Sequence, residues 1–74
     1  GATATVRFDS PIKGPVELKV IDLSGKIVLK QHNTVYEGTN SVAIANLDRL
    51  LPGMYILQMS NGSTIEMTKL SIAR

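Results

Sequence analysis

No cysteine occurs in the 74 residues, so neither a disulfide framework nor a thiolate metal site can form. Tryptophan is absent too, and the aromatic residues stop at Phe8, Tyr36 and Tyr55. Nucleic-acid surfaces need a basic stripe interleaved with stacking platforms. Here Arg7, Lys13, Lys19, Lys26, Lys30, Arg49, Lys69 and Arg74 are scattered, against six acids and a net charge of +2. No nucleic-acid partner is expected. No apolar run approaches the ~20 residues of a membrane span, and no charged-then-apolar leader opens the chain. Gly1 and Ala2 read as a cut end or an added remnant, so a mature fragment of a longer precursor, not membrane-spanning, is expected.

Chemistry is equally thin. His32 is the only histidine, and Asp22, Ser24 and His32 are the only nominees for nucleophile, base and orienting acid. Ser24 falls at a hairpin tip with His32 well along the returning segment, roughly 20 Å away at the usual rise of a strand. Asp9, Glu17, Asp22, Glu37, Asp48 and Glu66 are singly spaced, without the ligand spacing of calcium or zinc loops. Gly25, Gly38, Gly53 and Gly62 stand alone at turns and cradle no phosphate. The reading is non-catalytic, with no cofactor and no metal. Tyr36, in a polar segment, is the one candidate platform for a sugar ring.

What is present is short β-branched runs between turn residues, with no helical period sustained over three turns. Val6 and Phe8 alternate with Arg7 and Asp9, and Val16, Leu18 and Val20 alternate with Glu17 and Lys19. Asp22-Leu23-Ser24-Gly25 predicts a turn in which the aspartate accepts a backbone hydrogen bond and the glycine takes positive φ. The hairpin returns over 26–31, and the polar 32–38 segment is expected to be irregular. Asn40, Val42 and Ile44 predict the next inward series. Asn46–Leu51 predicts one helical turn, with Leu47 and Leu51 on one side, ended by Pro52-Gly53. Tyr55, Leu57 and Met59 predict a core-facing strand with the tyrosine hydroxyl reaching the surface, and Asn61-Gly62 a two-residue hairpin. Ile65, Leu70 and Ile72 change parity, which predicts a bulge near Met67. Lys69 and Ser71 are expected to be exposed on the last strand. The whole predicts an all-β, small immunoglobulin-like antiparallel sandwich of six to seven strands, one domain over residues 1–74.

Four motifs in order resemble the type A C-terminal sorting domains of type IX secretion cargo in Bacteroidetes. They are Asp22-Leu23-Ser24-Gly25-Lys26-Ile27-Val28, Gly38-Thr39-Asn40, Leu51-Pro52-Gly53-Met54-Tyr55, and Thr68-Lys69-Leu70-Ser71-Ile72. The asparagine-proline start common in that family is absent, and Gly1–Thr3 stands in its place. The resemblance implies that Asp22, Gly25, Gly38, Asn40, Pro52, Gly53, Tyr55 and Lys69 are the sorting-motif positions. It also implies a folded export signal that passes the periplasm and is recognised by outer-membrane secretion machinery. A sortase-like peptidase then removes it at the cell surface or outside the cell. The competing reading is an immunoglobulin- or fibronectin-like accessory module that binds polysaccharide or protein at the cell surface. Oligomeric state stays open.

Overall fold

Period-two alternation decides the architecture, because each alternating run can bury only one face. In the computed structural model, which describes residues 4–62 and 64–73, six strands carry nearly the whole chain. They are β1 (Ala4–Ser10), β2 (Gly14–Ile21), β3 (Ile27–Val35), β4 (Gly38–Ile44), β5 (Gly53–Asn61) and β6 (Thr64–Ile72). β1 and β4 form a two-stranded sheet facing a four-stranded sheet in the order β3-β2-β5-β6, and all pairings are antiparallel. Val16, Leu18, Val20, Tyr55, Leu57 and Met59 from the larger sheet meet Val42 and Ile44 from the smaller one. The sandwich expected from the alternation is therefore the fold observed.

One side of the sandwich is tied by a single side chain. Gln31 in β3 donates from Nε2 to the Ala43 carbonyl at 2.8 Å, and its Oε1 accepts from the Ala45 N–H at 3.2 Å. Its amide thus stands in for a peptide group on the edge of β4. This latch also explains a difference from the sequence reading, in which the 32–38 segment is irregular. Strand β3 instead runs to Val35, paired with β2 as far as Gly14. Its inward positions beside the latch are the polar Gln31 and Asn33, so no apolar alternation marks it.

The helical segment is a 3₁₀ turn over Leu47–Arg49, and it buries Leu47 and Leu50 while Leu51 is 78% exposed. The three-residue period of that turn superposes residues i and i+3, which replaces the expected Leu47–Leu51 pair. The bulge expected near Met67 is also absent. β5 and β6 pair without interruption from Gly53↔Ile72 to Asn61↔Thr64, and the one register shift among the described residues lies at Val20/Ile21. Ile65 and Met67 keep strict alternation and simply face outward, exposed. Asn61 is still in β5, paired with Thr64, and Gly62 follows it at φ 65°, so the turn begins one position later than expected. The expectations placed on Gly1–Thr3 and Arg74 lie outside the described residues.

The β2–β3 turn is as expected. The Gly25 N–H donates to the Asp22 carbonyl at 3.0 Å, and Gly25 has φ 93°. A side chain there would meet no neighbour, so any cost comes from the backbone conformation alone. Gly25→Val is expected to lower stability by more than ~1 kcal/mol. An unchanged urea midpoint would remove the conformational role assigned to this glycine.

Candidate functional site

The eight motif residues do not converge on a pocket; most of them build turns. Asp22 Oδ1 accepts from the Ser24 N–H at 2.9 Å, the Ser24 hydroxyl at 2.6 Å and the Lys26 N–H at 2.9 Å. Three donors on one oxygen favour its charged form, and the Ser24 hydroxyl above all holds the carboxyl below the ordinary aspartate range. A depressed folded-state value contributes stability that is present at neutral pH. That contribution is lost as pH falls below about 3.9, the unfolded aspartate value, toward the lower folded one. Asp22→Asn should therefore flatten the acid limb of a plot of unfolding midpoint against pH. Identical acid limbs would refute this account of the turn.

Asn40 performs the same service at the opposite end. Its Oδ1 accepts from the Tyr36 N–H at 2.9 Å, and its Nδ2 donates to the carbonyls of Tyr36 and Gly38 at 2.8 and 3.0 Å. Gly38, at φ 102°, lets the chain reverse into β4. Pro52 and Gly53 open β5 beside the Asp22 end. Tyr55 then sends its hydroxyl back to the Leu51 carbonyl at 2.5 Å. The hydroxyl expected at the surface thus ends in a partly buried bond, the tyrosine-corner arrangement of immunoglobulin-like sandwiches. Lys69 is the exception among the eight. It lies exposed on β6 opposite Ile56, with Ser71 exposed beside it, as expected.

The catalytic nominees are dispersed. Ser24 is committed to Asp22, whereas His32 Nε2 lies 3.0 Å from Glu17 Oε2, across the strand pair Glu17↔His32. Glu17 also meets Lys19 at 3.2 Å and Lys30 at 3.7 Å, and the Lys19 hydrogen bond leads in holding its carboxyl below the ordinary glutamate range. Charges scattered in sequence are thus gathered on the outer face of the larger sheet, which only knowledge of the strand register could have foretold. Such exposed pairs contribute little to stability. Tyr36, the candidate sugar platform, has Lys13 Nζ 5.3 Å from its ring centroid, so a cation stands over one of its faces while the residue stays exposed. No set of three acid, histidine or cysteine side chains could hold a metal among the described residues. No helix among them is long and apolar enough to cross a membrane.

What the surface offers instead is strand edges. β6 is an outermost strand, and residues 64–69 are all exposed, although they continue the pairing with β5. The two-stranded sheet is too narrow to cover Thr64, Glu66 and Thr68, which share the inner face of β6 with Leu70 and Ile72. On the outer face Ile65 and Met67 are 59% and 66% exposed. A long, regular, partly apolar edge invites another strand unless it is protected. Ile65 and Met67 were legible as apolar residues out of phase with Leu70 and Ile72, but a bulge and an exposed face leave the same mark in a sequence.

Comparison with curated proteins and with solved structures gives no match. The family model described as a secretion system C-terminal sorting domain matches residues 2–73, nearly the whole chain. Its span takes in all four motif segments and every strand of the sandwich. The chain therefore belongs to the secretion system C-terminal sorting domain family, the sorting signals of type IX secretion.

Proposed function

We propose that this domain directs the protein bearing it from the periplasm across the outer membrane, recognised by the type IX machinery through β6, and is then removed by a sortase-like peptidase. The domain is substrate and ligand in this process and catalyses nothing. The observation that carries the reading is the open edge of β6: nine regularly paired residues, six of them consecutively exposed, ending in Lys69 and Ser71 on the outer face. An unpaired edge supplies main-chain hydrogen bonds for affinity, and alternate side chains supply specificity. Family membership supplies the process. The accessory-module reading has Tyr36 as its one candidate platform, and Lys13 stands over one face of that ring.

The test is a fluorescent reporter carrying a general signal peptide at its start and this domain at its end. Surface or medium fluorescence is expected in a host with type IX machinery and not in its machinery-null derivative. The delivered reporter should also lose the mass of the domain. Retention of the intact fusion in the periplasm of the competent host would overturn the proposal, and delivery with the domain still attached would overturn the peptidase step.

A further inference from the structure

The two sheets are unequal, and the mismatch leaves a cleft. β4 lies on the β3 side, where Gln31 latches it, so the unpaired edge of β1 faces β6 across the sandwich. Between them opens a cavity of about 320 Å³ with Phe8, Ile12, Val16 and Met59 among its apolar walls. That is the lower end of the range for small-ligand pockets, and it is room for a few side chains rather than a single water. Among the described residues that line it, Asp9 and Glu66 carry charge: Asp9 Oδ1 accepts from the Thr39 hydroxyl on β4 at 2.7 Å, on the outer face of the smaller sheet, whereas Glu66, on the inner face of β6, forms no ion pair among those residues. Asn61, also in the wall, donates from Nδ2 to the buried Ser10 hydroxyl at 2.8 Å and keeps an enclosed Oδ1 with no donor among the described residues.

We infer that this cleft is an acceptor site for one extended peptide strand of another polypeptide, which adds to the free edge of β1 and inserts apolar side chains next to a lysine or arginine that meets Glu66. Three features select that occupant. The free β1 edge offers backbone donors and acceptors along the cleft mouth, which a peptide uses fully and a small molecule does not. The apolar walls take the alternate side chains that a strand directs to one face. Glu66, on the inner face of β6, favours a cation at the inward position beside it and repels an acid there. The added strand would be the third of the smaller sheet, placed over the inner face of β6 where Thr64, Glu66 and Thr68 are exposed. This site is distinct from the outer face and edge of β6 invoked for sorting, so either reading can fail without the other.

The probe is the blocked peptide acetyl-KTLTVTK-amide, whose alternate residues are lysine, leucine, valine and lysine. It is titrated into the isotope-labelled 74-residue chain and followed by amide chemical shifts. Saturable shifts are expected in β1, at Val16 and Met59 and over 64–68, below about 1 mM peptide. Acetyl-ETLTVTE-amide and acetyl-KTGTGTK-amide should each bind at least about fivefold more weakly, the first lacking charge complementarity and the second apolar burial. Glu66→Lys and Ile12→Ser should weaken the first peptide by a similar factor, with Glu66→Gln replacing the former if it fails to fold. An absence of saturable shifts, equal binding of the acid-flanked peptide, or shifts confined to the outer face of β6 would each overturn the inference.

Discussion

Leu57→Ala is expected to cost ~2–5 kcal/mol, the range for removing a fully enclosed leucine with partial collapse of the cavity. Leu57 has no exposed surface and is flanked in its sheet by Val20 on β2 and Thr68 on β6, with the β1–β4 sheet facing it. At ~0.05–0.15 kcal/mol per residue, a chain of this length holds about 4–11 kcal/mol in all. One methyl-rich side chain therefore stands for a large share of the fold. The urea midpoint should drop steeply with little change in slope, since nearly the same surface is exposed on unfolding. Leu51→Ala is the internal contrast. With 78% of Leu51 exposed, its midpoint should stay within about 0.5 kcal/mol of the parent. A cost below ~1 kcal/mol for Leu57→Ala, or equal costs at both sites, would contradict the assigned core.

Deleting residues 69–74 is expected to abolish both folding margin and delivery. Leu70 and Ile72 pair with Tyr55 and Gly53 and bring the last inward side chains of β6 to the core. Losing both removes ~3–5 kcal/mol of burial. The reporter bearing this truncation should remain in the periplasm. Because unfolding alone could cause that result, Lys69→Ala is the sharper variant. Lys69 is exposed, so its replacement should leave the urea midpoint within about 0.5 kcal/mol while lowering surface delivery. Normal delivery of the Lys69→Ala reporter would remove Lys69 from the recognised surface. Delivery of the truncated one would remove residues 69–74 from that surface.

The core was legible wherever a strand carries apolar residues on one face only. Val16, Leu18 and Val20, and then Tyr55, Leu57 and Met59, are all buried as their alternation requires. Turns were legible where one residue type is needed for a local reason, as with Asp22 accepting donors and Gly25 at positive φ. The extent of β3 was hidden because Gln31 and Asn33 hold inward positions with polar side chains. The outward direction of Met67 was hidden because alternation gives the period of a strand and not which face meets the core. The cleft could not be read at all. It exists because two strands face four, and strand order is a long-range property that no local pattern carries. Likewise, the cluster around Glu17 depends on the Glu17↔His32 and Lys19↔Lys30 registers.

The Gln31 latch makes the sandwich resemble a bound book, with its spine along β3 and β4 and its loose pages along β1 and β6. Thermal breathing should follow that asymmetry. On the spine side, parting the sheets breaks two side-chain hydrogen bonds to backbone groups at the end of β4, whereas among the described residues no main-chain pairing joins β1 to β6. The Ala45 amide should thus exchange with solvent deuterium more slowly than its exposed position suggests, and the outward amides of β1 should exchange fast. A fold secured along one side opens repeatedly along the other without unfolding, and so presents its interior to a visitor from a fixed direction.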